Sequence, residues 1–363
     1  MVRGVHRELR SDGGRVTLVG PMPPPTNGQS VVFSHIVMEF RRHIRELRIV
    51  NTGDGESRGW VGLFLKLGRA VASCWAALQA DATYVAVKAG YGMWLTTAVA
   101  CFARLRGARI FLHHHSYAYV RRRQFRMVVL TRVAGRDAYH IVLSRLMDVQ
   151  LRQVMPEIQR TLIVGNAALV DGSLVELPLK WERNLTLGHL SNLSAEKGIA
   201  EVVDLAVALK AEGIRAGLII GGPAVDNESS EHIDRASREL GELFEYRGPL
   251  AGASKQRFFS DITHFAFPSR YEHEAMPLVL YEALAAGVVC IATRQGVIAE
   301  QLEGSPALLA ENSASFVQEV LPALGDGRVS YSSALKCRET YLSALAESVG
   351  ELEDLIETVK LGS

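Results

Sequence analysis

Short apolar runs, each followed by a longer stretch of helical period, recur along two separate parts of the chain, and this rhythm limits the fold more than any other feature. In the first part Arg15–Gly20 precedes Gln29–Arg41, Leu47–Thr52 precedes Val61–Leu78, and Thr83–Val87 precedes Gly92–Arg106. Ala108–Leu112 follows, and His140–Leu143 then leads into Arg145–Val154. The buried strands read as continuous apolar runs rather than alternating, which is how strands read when helices cover both faces of a parallel sheet. The rhythm restarts at Leu185–Leu190 and continues through a helix over 197–211, Ala216–Ile220, a helix over 231–240, Leu243–Tyr246, Thr263–Phe267 and Val288–Ala292. Helices near 255–260 and 278–286 separate the later strands.

Between the two parts, Leu169–Asn184 mixes Gly, Pro, charges and Trp181 without a sustained period. The expected division is therefore an N-terminal Rossmann-like domain over 1–168, a linker over 169–184, a second such domain over 185–330 and a helical tail over 331–363. The length of 363 residues agrees with two domains at roughly 150 residues each. The tail carries helical candidates at Ser332–Ala346 and Val349–Lys360, the latter with Leu352, Leu355, Ile356 and Val359 on one apolar stripe. Two doubly wound α/β domains would face each other across a cleft, with ligands gathered beyond the carboxyl ends of the strands.

Charge and cysteine content exclude several classes. With 40 Lys and Arg against 39 Asp and Glu, the net charge of +1 gives no global field for a polyanion, and no aromatic platforms argue for nucleic acid. Cys74, Cys101, Cys290 and Cys337 are widely spaced among apolar neighbours and read as reduced fillers. The N-terminal segment has no secretory apolar stretch. The most apolar helical candidate, Tyr91–Leu105, is shorter than the roughly 20 residues that span a bilayer. The expectation is a soluble cytoplasmic protein, with peripheral contact at the inner membrane face left open.

Four segments are candidates for chemistry. Gly20–Ser30 is a Pro-rich loop ending in Asn27-Gly28 at a helix start, where a glycine and free amides suit an anion or an oxygen-rich ligand; a rigid turn is the plainer reading. It lacks both the dinucleotide fingerprint and a Walker A sequence. His113, His114 and His115 end a strand; alternation keeps three successive side chains from sharing a metal, but one of them, His115 foremost, suits hydrogen bonding to a sugar or proton transfer near neutral pH. Asn192 to Gly198 places Lys197 at a helix start, favourable for phosphate oxygens and equally ordinary for a surface lysine. In Pro268–Gly287, Glu282 sits inside an apolar helix where an unpaired carboxylate is expensive, and Glu274 lies eight residues earlier, before Pro277. Either ligand hydroxyls or a protein cation would satisfy Glu282. A basic run, Arg121 to Arg136, offers a surface for an anionic acceptor or a membrane, or is a solvated helix face.

The Glu274-x7-Glu282 segment, preceded by Phe267-Pro-Ser and followed by Ala-Leu-Ala-Ala-Gly, resembles the signature of family 4 retaining glycosyltransferases. The resemblance extends in order through Gly28, His115, Asn166 and Lys197-Gly198, and implies the GT-B fold of two facing Rossmann-like domains. It implies that Gly28 approaches the donor diphosphate or sugar and that His115 contacts the sugar or positions the acceptor. By the same resemblance Lys197 neutralises the diphosphate, Glu274 meets the transferred sugar, and Glu282 accepts the ribose hydroxyls of a UDP-, GDP- or dTDP-sugar. Asn192 stands where the family commonly has Arg, so half of the usual cationic clamp is absent. Glu274 is followed by Ala-Met-Pro in place of the commoner Gly-Phe-Gly. No Asp-x-Asp occurs, and the resemblance requires neither metal nor other cofactor. The activity it implies is hexosyl or deoxyhexosyl transfer to a glycan or lipid-linked glycan in cell-surface polysaccharide or lipopolysaccharide synthesis. A protein of the same fold that binds nucleotide sugar or glycan without transfer is the alternative.

Overall fold

The computed structural model describes residues 14–24, 28–53, 59–179, 184–325 and 329–360. The first half contains strands β1 (Val16–Gly20), β2 (Leu47–Asn51), β3 (Ala82–Val87), β4 (Arg109–His114), β5 (Tyr139–Val142) and β6 (Arg160–Ile163). Its helices are α1 (Gly28–His43), α2 (Gly59–Leu78), α3 (Met93–Arg106), α4 (Phe125–Ala134) and α5 (Arg145–Val154). The strands form one parallel sheet in the order β2-β1-β3-β4-β5-β6, with Val16 opposite both Leu47 and Ala82. β1 and β3 are buried along their whole length, as the unbroken apolar runs require of strands covered on both faces.

The second half repeats the plan with β7 (Thr186–Leu190), β8 (Gly217–Gly221), β9 (Phe244–Tyr246), β10 (His264–Phe267), β11 (Val289–Thr293) and β12 (Leu308–Ala310). Its helices are α6 (Ile199–Ala211), α7 (Asn227–Leu240), α8 (Ala253–Asp261), α9 (Leu278–Ala285), α10 (Ile298–Gln301) and α11 (Phe316–Leu324). This sheet is also parallel, in the order β12-β11-β10-β7-β8-β9. In each sheet the chain runs outward on one side and then returns to build the other. The reversals fall between β1 and β3 and between β7 and β10, the places where doubly wound sheets open a crevice at their carboxyl edge.

Two elements differ from expectation. The tail is a single helix, α12 (Tyr331–Lys360), rather than two. The two residues between the candidates, Glu347 and Ser348, do not break a helix, and Gly350, inside the second, penalises it by only about 1 kcal/mol. α6 begins at Ile199, after a short 3-10 turn over Ala195–Lys197, because Gly198 has φ of 83° and leaves the helical region. A Cβ at Gly198 would lie 2.5 Å from the Pro268 carbonyl oxygen, so the turn is held against the loop after β10.

α12 lies across both halves. Arg338 donates to the carbonyls of Leu177 at 2.6 Å and Ala285 at 3.1 Å, and Ser348 Oγ donates to Gly165 at 2.7 Å. Further along, Leu352, Leu355, Ile356 and Val359 join the apolar cluster of Val16, Phe33, Phe40 and Phe111. Arg109 donates to the carbonyls of Thr358 and Val359, satisfying acceptors at the helix end. Among the described residues no helix is long and apolar enough to cross a membrane.

Candidate functional site

A cavity of about 640 Å³ lies where the two sheet reversals face each other. Gly28 at the start of α1 and Val87 and Ala89 after β3 reach it from the first half. Asn192, Ser194 and Lys197 after β7 reach it from the second, with Tyr271 and His273 to Leu278 after β10. Its lining therefore comes from the turns that follow the two central pairs of strands, joined by His115 and Ser116 after β4.

The cavity brings together five of the six residues singled out from the sequence: Gly28, His115, Asn192, Lys197 and Glu274. Lys197 and Glu274 form an ion pair, Nζ to Oε2 2.5 Å, with their side chains only 20% and 10% exposed. Ser269 Oγ donates to the same carboxylate oxygen at 3.1 Å, and the Lys197 ammonium lies 4.7 Å from the centre of the Tyr271 ring. The lysine is thus held by a carboxylate and an aromatic face, a cation kept inside a cleft rather than released to solvent.

His115 lies one residue beyond β4, and its Nε2 is buried with no hydrogen-bond partner among the described residues. Burial pulls its pKa down to about 3. The ring is consequently neutral through the physiological range: it can exchange hydrogen bonds with a hydroxyl but carries no proton to give as an imidazolium. Its neighbours alternate as strand geometry demands. The His113 ring sits 4.0 Å from that of His115, with Nδ1 2.5 Å from the Tyr84 hydroxyl, while His114 meets His140 at 2.9 Å and Tyr119 at 3.2 Å. Among the described residues no group of three His, Cys, Asp or Glu is placed to hold a metal ion.

Gly28 is exposed, and a Cβ built on it meets nothing within 4 Å. Nothing in the protein itself requires a glycine there, so the space it leaves belongs to the cavity. The first turn of α1 carries no acidic residue, leaving its amide end favourable to an anion. Pro25, Thr26 and Asn27 of the Pro-rich loop lie outside the described residues. Asn192 is exposed on the wall below Lys197.

Residues 184–326 match the family model described as Glycosyl transferases group 1. No curated protein sequence matches the chain. In structure the chain is similar to HepE of Anabaena in complex with UDP and glucose, at TM-score 0.68 and 15% identity over 95% of this chain and 99% of that one. It is similar to the sucrose-phosphate synthase of Thermosynechococcus elongatus at TM-score 0.66 and 16% identity, with coverage of 95% and 99%. The apo lipopolysaccharide outer core galactosyltransferase WaaB matches at TM-score 0.66 and 14% identity, again over 95% and 99%. The fold is GT-B.

Within this GT-B cleft Glu282 stands apart. It is buried on α9 and accepts from Lys255 of α8 at 2.8 Å, and it does not line the cavity that holds Glu274. The two carboxylates of the eight-residue spacing therefore serve different surroundings, because Glu274 precedes α9 while Glu282 is its fifth residue. Contacts across the GT-B cleft add Ser116, His273, Met276 and Gln295 to the residues read from the sequence. Ser116 Oγ lies 2.8 Å from His273 Nδ1, and Asn166 Nδ2 donates to the Met276 carbonyl at 2.9 Å. Arg121 reaches Gln295 at 3.0 Å. Partners separated by more than a hundred positions leave no spacing signal. Only the loop positions of Tyr271 and His273, at the carboxyl edge of a strand, could have marked them.

Proposed function

We propose that this chain transfers a glycosyl unit from a nucleotide sugar to a hydroxyl of a glycan or lipid-linked glycan, with retention at the anomeric carbon, in cell-surface polysaccharide synthesis. The observation that carries the reading is the convergence of Gly28, His115, Asn192, Lys197 and Glu274, from four separate segments, on one cavity of about 640 Å³. That volume suits a nucleotide-sized ligand, since small-molecule sites run from roughly 300 to 1,000 Å³. The family match over residues 184–326 supports a sugar donor on the second half, and a UDP-, GDP- or dTDP-sugar is the proposed class.

In this reading the donor diphosphate lies over the amide end of α1 and beside Lys197. As the bond from the anomeric carbon to the diphosphate oxygen breaks, charge develops on the leaving group, and Lys197 and the backbone amides stabilise it. Lys197 exchanges its Glu274 partner for phosphate, which frees Glu274 to accept hydroxyl hydrogens of the transferred sugar. Neutral His115 hydrogen-bonds a sugar or acceptor hydroxyl through its unpaired Nε2. The acceptor hydroxyl attacks the face from which the diphosphate departs and passes its proton to the departing phosphate oxygen. Glu282 accepts ribose hydroxyls beside Lys255. Asn192 contributes a hydrogen bond to phosphate where a guanidinium would contribute charge.

A binding protein without transfer is the second reading, favoured by the Lys197–Glu274 pairing, which already neutralises the one cleft lysine. Titration with UDP, GDP and dTDP, followed by mass spectrometry of donor and acceptor mixtures, separates the two. Transfer predicts saturable binding of one nucleotide and an acceptor whose mass rises by one sugar. Binding without product or donor hydrolysis over a broad acceptor panel establishes the second reading. Binding of no nucleotide by folded protein rejects both.

A further inference from the structure

The first half carries an apolar surface that its own fold does not cover. Leu63 through Gly68 of α2 are all exposed, on more than one side of the helix, with Phe64 at 70%. The exposure continues along one stripe through Leu67, Val71 and Trp75. α3 packs beside α2 and shows a matching stripe of Trp94, Phe102 and Leu105, and α4 packs beside α3. There Phe125 is 74% exposed and its ring lies 6.3 Å from that of Trp94, so the two helices share one outward face. A contiguous apolar face of this kind marks an interaction site in a protein that otherwise buries its apolar side chains.

Charge is segregated onto the same region. Residues 59–136 hold twelve Lys and Arg and a single acid, Asp81, while the remaining residues hold 28 basic and 38 acidic side chains. Asp81 is engaged by Arg15 and Arg106. Arg122, Arg132 and Arg136 are exposed around Phe125, and Arg126 covers the Tyr91 ring at 4.3 Å. The near-neutral net charge of the chain conceals this basic excess.

We infer that the face formed by α2, α3 and α4 docks on an anionic lipid bilayer, with the exposed Leu63, Phe64 and Leu67 of α2 entering the acyl boundary and the arginines resting among the headgroups. Two features favour lipid over a protein partner. A protein groove covers one side of a helix, whereas Leu63, Phe64, Leu65 and Leu67 are exposed on more than one side of theirs, which suits a medium that surrounds them. The rim is predominantly cationic, with the exposed Arg122, Arg132 and Arg136 outnumbering the exposed Asp137 beside them, where protein interfaces carry mixed charge. The face also adjoins the cleft: Ala89 lines the cavity, and Tyr91, 82% exposed, follows two residues later at the start of α3. A docked molecule would turn the cavity mouth towards the bilayer. The docking itself does not depend on the transfer reading, since it is built from different residues.

The test is flotation of the full chain with vesicles of phosphatidylcholine alone and with an equal part of phosphatidylglycerol. Binding to the anionic vesicles, weakened by salt, is expected. Phe64→Glu/Trp75→Glu should reduce it more than roughly tenfold at any salt concentration, as two acids replace inserted apolar groups. Arg122→Gln/Arg132→Gln/Arg136→Gln should reduce it roughly a hundredfold at low salt, at about fivefold per arginine, and little at high salt. All five positions are exposed, so each variant should keep the wild-type melting temperature. Absence of wild-type binding, or binding indifferent to the Phe64 and Trp75 changes, overturns the inference. A dimer in solution that Phe64→Glu dissociates, without vesicle binding, assigns the face to a second copy and overturns it equally.

Discussion

Mild acid should unfold this protein through its buried histidines. Burial holds His115 at a pKa of about 3 and His140, His189 and His264 at about 4, and it also depresses His113 and His114. In the unfolded chain each returns to about 6.5. Because the folded values lie below the unfolded one, the unfolded chain binds protons first as the pH falls. The stability these groups allow is complete above about pH 6.5 and drains away as the pH drops towards 4. Between pH 6 and pH 5 each histidine takes about 1.2 kcal/mol, and the four with stated values together take about 5 kcal/mol. That is of the order of the whole stability of an ordinary domain, about 5–15 kcal/mol. Glu201 and Glu351, whose carboxyls burial pushes up, act in the opposite direction and trim the total. Urea unfolding at pH 7, 6 and 5, followed by circular dichroism, measures the effect. The midpoint should fall steeply over the last step, and His264→Gln should reduce the slope by about a sixth, its share of the six depressed rings. Equal midpoints at pH 6 and pH 5 would refute the reasoning, since they would mean that these rings titrate alike in both states.

The other predictions concern the cleft. Lys197→Met leaves Glu274 without its cation and should destabilise the fold by about 3 kcal/mol; Lys197→Met/Glu274→Gln should restore most of that by calorimetry while recovering none of the nucleotide-diphosphate affinity. Gly28→Ala should leave the melting temperature unchanged or slightly raised, since its Cβ meets no protein atom, yet weaken donor binding in titration; unchanged affinity would show that no ligand approaches there. Glu282→Gln should weaken nucleotide binding by about tenfold if it accepts ribose hydroxyls, and a loss of stability without that change would confine its role to Lys255.

Much of this architecture is legible from amino acids in order, because the apolar runs of β1, β3, β7 and β10 are each local and uninterrupted. The order of strands within a sheet is not local. Nothing in Val16–Gly20 says that β3 rather than a later strand returns to its side, although that choice places Gly28 and Ala89 at one crevice. The candidate site was legible where a residue type was odd for its setting: a glycine at a helix start, a histidine at a strand end, a lysine beside a sharp turn. Glu282 was odd in the same way, yet its oddness is answered by Lys255, 27 positions back on another helix. A buried carboxylate announces that it has a partner and says nothing about which. The basic run from Arg121 was visible as charge, but the apolar half of that surface was not, since Val61–Leu78 reads as an ordinary core helix until the fold leaves Leu63, Phe64, Leu65 and Leu67 exposed.

The helix over 331–360 also bears on the order in which the chain is made. Chains emerge N-terminus first and domains tend to fold as they appear, but the first half here completes its apolar cluster with Leu352, Leu355, Ile356 and Val359. Until those residues have been synthesised, Phe33, Phe40 and Phe111 lack part of their cover while the entire second half is being added. A fragment ending at the linker would share that open seam. The unit that folds around the first sheet is therefore discontinuous in sequence, and its last piece arrives after everything it must wait for.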